Sequence, residues 1–339
     1  VTAADITGDS GTTRKFRRLT IAVIAVAIVY SAAWFIAAQQ IESRLQAFFD
    51  SGRANGFSAD CSDMDVRGFP FRIGVFCNRV QLDDNTLAAS ASFGELRSAA
   101  QVYRPGHGVL ELDGPAEIRV SPDLTVSADW SLLHASVNAG FSGLNRLSLA
   151  YDRMKATAML PLTGDRLDLA ANHGETHLRR NGADLDVAAN VEALDLRPDS
   201  GESLLPPLAA AVDLTLVDRA DLVEMKPVSP HFLRGSRGEL RNLTLDFGNG
   251  MVGTASGPFS VDDEGLISGT FKVTIREIAN LRPILVRAFP DEQAVANINN
   301  TANMLRALNG GGNEATVTID VRDGNASLAF FPLGELPAL

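Results

Sequence analysis

Residues 19–38, LTIAVIAVAIVYSAAWFIAA, run for twenty positions without a single charge. As a helix this run is about 30 Å long, the thickness of a bilayer's hydrocarbon core. Arg14, Lys15, Arg17 and Arg18 precede it, and Gln39, Gln40 and Glu42 follow. By the positive-inside bias, that asymmetry puts the N-terminus in the cytoplasm and sends the chain beyond residue 39 across the membrane. Trp34 and Phe35 lie near the far end, where aromatic rings sit at headgroup level. A cleaved export signal is the rival reading, with Ser31 and Ala33 as a small-residue pair. The apolar run continues past that pair through Trp34, Phe35 and Ile36, which fits a retained anchor better. Both readings export the remainder.

The exported part, about 300 residues, is enough for one large domain or two ordinary ones. The formal charge of the chain is -11, which argues against a nucleic-acid partner and against broad adsorption to an anionic membrane surface. The two cysteines, Cys61 and Cys77, both follow the anchor. In an oxidising compartment they are expected to pair, closing a short loop worth about 3 kcal/mol. Two buried free thiols are the alternative. A zinc site would need further ligands nearby, and the sequence around them offers none.

The chain divides into a cytoplasmic tail (1–18), the transmembrane helix (19–38) and a helical stalk (39–56), in which Ile41, Leu45, Phe48 and Phe49 recur at helix spacing. Period-two alternation then takes over. Phe69, Phe71, Ile73, Val75 and Cys77 share one parity, with Arg72, Gly74 and Asn78 between them, the pattern of a half-buried strand. Pro70 cannot donate to a ladder, so that strand starts there or runs along an edge. Leu110 and Leu112, Leu124 to Trp130, Leu147 and Leu149, Leu185 to Val191, and Val212 to Leu216 repeat the theme between turn signals such as Asn181-Gly182.

Residues 57–217 therefore read as a first antiparallel β-rich half and 218–238 as a connecting segment. Residues 239–339 read as a second β-rich half, with Phe271, Val273 and Ile275 on one face of a strand. Between about 276 and 309 helix spacing replaces alternation: Ile278, Ile284 and Leu285, then Val295, Ile298, Ala302 and Leu305 after Asp291 as N-cap. The expected fold class is mainly β with α (α+β). A transmembrane helix leads into a long, curved antiparallel sheet, and helices pack on the sheet near the C-terminus.

Three stretches carry a family likeness: RGFPFRIGVFC, GTASGPFSVDDEGLISGTFKVTI followed by a helix, and the closing DGNASLAFFPLGELPAL. With the anchor they resemble the bacterial envelope proteins catalogued as domain of unknown function 2125. That resemblance implies a bacterial inner-membrane protein with its bulk in the periplasm, and it brings no catalytic residues with it. More loosely, an anchor followed by long antiparallel strands is similar in architecture to the AsmA-like envelope proteins, implicated in lipid traffic between membranes.

Candidate chemistry is thin. His173, Glu175 and His177 share one strand face, where two imidazoles and a carboxylate meet a metal in some proteins; beside Asn181-Gly182 they read instead as the solvated end of a hairpin. The Asp83-Asp84 and Asp262-Asp263 pairs, the second followed by Glu264, are placed in turns, and the latter spacing is not that of a calcium loop. No nucleophile elbow and no phosphate-binding glycine loop occurs. The expectation is a protein without enzyme activity, catalytic residues, metal or cofactor.

What remains is apolar sheet surface. Phe69, Phe71, Ile73, Val75, Phe271, Val273 and Ile275 are the candidate lipid-facing residues, since burying acyl methylenes contributes about 0.8 kcal/mol each. Arg67 and Arg72 stand beside the first of these faces, where a lipid phosphate would meet them. The expected partners are the inner membrane through residues 19–38, and phospholipid or another envelope lipid on the sheet. The alternative is a structural scaffold that holds envelope proteins by strand addition.

Overall fold

The computed structural model describes the chain except residues 1–9, 55, 86–87, 122–123, 141–142, 161–163, 200, 204, 224–231, 289–290, 309–311 and 330. It is mainly β, with one long apolar helix at the start and two short helices near the end. Of the expected tail, residues 1–9 lie outside the described residues, and Ser10 already belongs to the helix. α1 (Ser10–Ala54) is unbroken over 45 residues, about 68 Å, so the anchor and the stalk are one rod. Its shielded positions from Ser31 onward include 31, 34, 38, 41, 42, 45, 49 and 52. That is a helical stripe, which docks α1 along one side of the β body. Trp34 and Ala38 are buried there.

Ten short strands come first: β1 (Phe57–Ser62), β2 (Asp65–Arg67), β3 (Arg72–Cys77), β4 (Arg79–Asp84), β5 (Ala89–Phe93), β6 (Leu96–Gln101), β7 (Arg104–Leu112), β8 (Ala116–Ser121), β9 (Leu124–Asp129) and β10 (Leu132–Gly140). They behave as five long strands, each interrupted once near its middle. β2 pairs with β3 while β1 pairs with β4, and β4 pairs with β5 while β3 pairs with β6. The same holds for β6–β7 with β5–β8, and for β8–β9 with β7–β10. β11 (Gly143–Leu160) runs through without interruption, its first half on β10 and its second on β9. The interruptions lie side by side and stay bonded. Gly94 N–H donates to Asp113 O (3.0 Å), Asp113 N–H to Glu95 O (2.8 Å), and Ser131 N–H to Asp152 O (3.0 Å).

Beyond β11 the meander continues neighbour to neighbour through β12 (Asp165–Asn181), β13 (Asp184–Pro198), β14 (Leu208–Leu216), β15 (Arg237–Asp246), β16 (Val252–Val261) and β17 (Ile267–Arg276). It ends in β18 (Glu314–Arg322), β19 (Asn325–Leu328) and β20 (Phe331–Glu335). β14 bonds directly to β15, so the sheet crosses the 218–238 segment without a gap. That segment folds a 3-10 turn, Ala220–Val223, over one face of the sheet, where Val223 packs with Leu185 and Leu216 in a buried cluster. At the other end of the sheet, α2 (Ile278–Ala288) and α3 (Glu292–Leu308) help bury Ile278 and Leu305 with Ala315 and Leu328. Asp291 caps α3 as expected, accepting from the Gln293 and Ala294 N–H groups at 3.0 and 3.1 Å.

Two details differ from the expectations. The strand read from Phe69 begins at Arg72. Pro70 offers no N–H, and Arg72 N–H closes a turn on Gly68 O at 3.0 Å, leaving Phe69 and Phe71 in that turn. Asp83 and Asp84 end β4 and do not occupy a turn. The cysteines pair as expected: Cys61 of β1 is bonded to Cys77 of β3, with Cα atoms 5.3 Å apart. The bond clamps the first two long strands together where both are interrupted.

Candidate functional site

Residues directly opposite in an antiparallel ladder put their side chains on the same face, so the register can be followed from strand to strand. One row starts at Ile73 and passes through Ala100, Gly108, Val137, Leu147, Leu178, Val187, Leu214 and Leu240 to Gly257. Two residues along, a second row runs through Leu110, Ala135, Leu149, Thr176, Ala189, Val212, Leu243, Ala255, Val273 and Val317. Only Thr176 in these rows carries a polar side chain. The large side chains of the first row are half-buried, so this face is neither sealed as a core nor open like an ordinary surface.

Two cavities lie on it. The first, about 440 Å³, is bounded by Ile41 of α1 with Ile73, Val75, Leu110, Val137 and Leu147. Among the described residues the second, about 640 Å³, is lined by Leu, Val, Ile and Phe alone, including Leu178, Leu214, Leu240, Phe259 and Phe271. Leu147 of the first stands opposite Leu178 of the second, so the cavities adjoin along the row. Glycines make room for the rings: a Cβ on Gly238 would meet the Phe259 ring at 2.9 Å, and one on Gly269 the Phe271 ring at 3.0 Å.

The Ile73 end of the row sits against the apolar helix. Phe69 stacks on Phe35 (5.6 Å) and meets Trp34 edge-on (5.5 Å). The Trp34 indole N–H donates to Arg72 O at 2.9 Å, and the Tyr30 hydroxyl donates to Pro70 O. Val102 N–H, in the β6–β7 turn, donates to Phe71 O at 3.1 Å. Phe71 and Tyr103 are each 68% exposed, and among the described residues neither ring stacks on another.

The predicted residues thus separate. Ile73 and Val75 line the cavity near α1, Phe271 lines the larger one, Val273 stands in the second row, and Ile275 packs on the buried cluster around Ile278. Phe69 and Phe71 belong to the helix-docking turn instead. Arg67 lies over the Phe76 ring (4.0 Å) and beside Asp65 (3.6 Å). Val187 and Leu214, which alternation marks as strand residues, and Leu178 and Leu240, which no apolar alternation marks, join the row beside the predicted residues.

The opposite face is polar. His173, Glu175 and His177 lie within the 17-residue β12, not at a hairpin end. His173 bonds Asp152 through Nδ1 (2.7 Å) and Glu175 through Nε2 (3.3 Å); His177 bonds Glu175 (3.1 Å) and Ser148 (2.9 Å). Every ring nitrogen is therefore engaged, and among the described residues no group of three such side chains is arranged for a metal ion. The Asp152 bond, then that of Glu175, raises the His173 pKa above its ordinary value. A raised folded-state value stabilises the protein fully below about pH 6.5 and fades as pH rises through it. An NMR titration is expected to place His173 above 6.5, and Asp152→Asn to return it toward that value. Nearby, Asp186 accepts from Arg179 (2.7 Å), Thr215 (2.8 Å) and Arg241 (3.2 Å). Asp262 serves its own turn, accepting from the Glu264 and Leu266 N–H groups at 3.0 and 2.7 Å.

No curated protein and no solved structure matches the chain. A family model does match, over residues 34–337, from the tryptophan that docks α1 to the proline of the docked C-terminal tail. The chain belongs to the family described as "Uncharacterized protein conserved in bacteria (DUF2125)".

Proposed function

We propose that this is a membrane-anchored envelope protein, without enzyme activity, that takes the acyl chains of a lipid from the bilayer onto its apolar sheet face. The observation that carries the reading is the ten-strand apolar row, which begins beside the uncharged helix and leads to a cavity lined by aliphatic and aromatic side chains. A groove of this composition holds methylenes at about 0.8 kcal/mol each. Phe71 and Tyr103 favour an opening at headgroup level, where amphipathic rings settle.

The orientation is part of the proposal. Four basic residues before the uncharged run favour a cytoplasmic N-terminus and a periplasmic body, a compartment suited to the Cys61–Cys77 bond. The burial of Trp34 against the body supports a retained anchor. The scaffold alternative has less behind it. At the sheet's outer edges, β1 lies against α1, β2 is three residues long and carries charge, and β20 contains Pro332, features that discourage strand addition.

Mass spectrometry of the full chain, extracted in mild non-ionic detergent, tests the reading. Phospholipid is expected to travel with the protein. A lipid-free preparation carrying a stoichiometric protein partner would transfer the case to the scaffold.

A further inference from the structure

A further cavity, about 540 Å³, opens on the polar face behind the membrane end of the apolar row. Arg72, Arg104, His107 and Arg146 line it with Gln101 and Asn138, and among the described residues no carboxylate lines it. Four strand pairings bring these side chains together: Arg72 stands opposite Gln101, Gln101 opposite Arg104, and Asn138 opposite both His107 and Arg146. Six arginines elsewhere on the sheet, Arg97, Arg166, Arg179, Arg197, Arg237 and Arg241, each bond an Asp carboxylate within 3.0 Å. Among the described residues, none of the three guanidiniums here has such a partner. In a chain of formal charge -11, three unneutralised guanidiniums facing one cavity repel one another unless an anion joins them. Planar guanidiniums suit phosphate oxygens in particular, donating in pairs.

Position narrows the source of that anion. Arg72 O accepts the Trp34 indole N–H, which fixes the cavity beside the end of the uncharged run, and the exposed Phe71 and Tyr103 directly precede two of its arginines in sequence. We infer that Arg72, Arg104 and Arg146 form a phosphate-binding pocket that receives the headgroup of a membrane phospholipid. The phosphate chemistry stands on the arginines alone; the lipid source rests on the groove reading above. The pocket and the cavity behind α1 share the thin backbone of Ala99, Ala100, Gly108 and Val137, so headgroup and tails part around the β6–β7 turn.

The test uses the full chain in non-ionic detergent, titrated with dioctanoyl phosphatidylglycerol, dioctanoylglycerol and inorganic phosphate. The variant is Arg104→Gln with Arg146→Gln, both exposed, so the fold is retained; an unchanged melting curve checks this. Losing two charge-assisted contacts is expected to weaken the phosphatidylglycerol by about tenfold or more and to leave dioctanoylglycerol unchanged. Equal binding of the phosphatidylglycerol to variant and parent overturns the headgroup pocket, even while the groove reading survives through dioctanoylglycerol. Inorganic phosphate bound by the parent, lost in the variant and indifferent to the lipids would keep the phosphate site and overturn the lipid source. If no probe binds the parent, both inferences fall.

Discussion

Val187→Glu is expected to empty the protein of lipid while leaving it folded. Val187 sits near the middle of the apolar row, between Leu178 and Leu214, and its side chain is only half-buried. A carboxylate there keeps access to water when the groove is vacant, so folding loses little. When an acyl chain lies across it, that carboxylate must be dehydrated or the chain must bend away. Forfeiting the contacts of about four methylenes amounts to roughly 3 kcal/mol, or about a hundredfold in affinity. Lys272→Glu, exposed on the other face beside Phe271, adds the same carboxylate without touching the row and is expected to retain lipid. Quantitative lipid mass spectrometry of both variants and the parent decides it. Equal lipid in the two variants would mean that the row is core surface and holds no ligand.

Much of this groove could be read from alternation, because a strand with one wet face must write its pattern at period two. Leu147 and Leu149, Leu185 to Val191 and Val212 to Leu216 all fall within strands of the expected kind. Local pattern stops being informative where pairing is decided at a distance. The alternation runs on through Phe69 and Phe71, yet a proline between them diverts the chain into a turn against α1, a contact nearly 40 residues away in sequence. The five strand interruptions are likewise invisible singly; they become a structural feature only when Gly94, Asp113 and Ser131 line up across neighbouring strands. His173 to His177 resembled a hairpin end because Asn181-Gly182 follows closely, but β12 is long enough to hold both. The arginine pocket was the least legible. Arg72, Arg104 and Arg146 lie more than 30 residues apart, and the only sequence trace is a basic residue at or near the start of β3, β7 and β11.

Asp186→Ala should be the most destabilising single change on the polar face. Asp186 is 6% exposed, and burial alone would push its pKa upward. Hydrogen bonds from Arg179, Thr215 and Arg241 more than offset that and hold it at about 2. A depression of that size corresponds to about 2 kcal/mol of folded-state stabilisation. It is fully present above the unfolded-chain value near 4, and it is lost as pH falls through about 2. Removing the carboxylate leaves two guanidiniums without their shared partner, but their side chains are 58% and 40% exposed and can turn to water. Arg241 also keeps Asp213. The loss should therefore stay near about 2 kcal/mol, short of the penalty for breaking a fully buried pair, and lower the melting temperature by about 4 °C at neutral pH. The variant and the parent should converge in stability as pH is lowered toward 2, because the parent's carboxylate is then protonated as well. A gap between them that stays constant from pH 7 to pH 2 would show that the aspartate contributes by shape and not by charge.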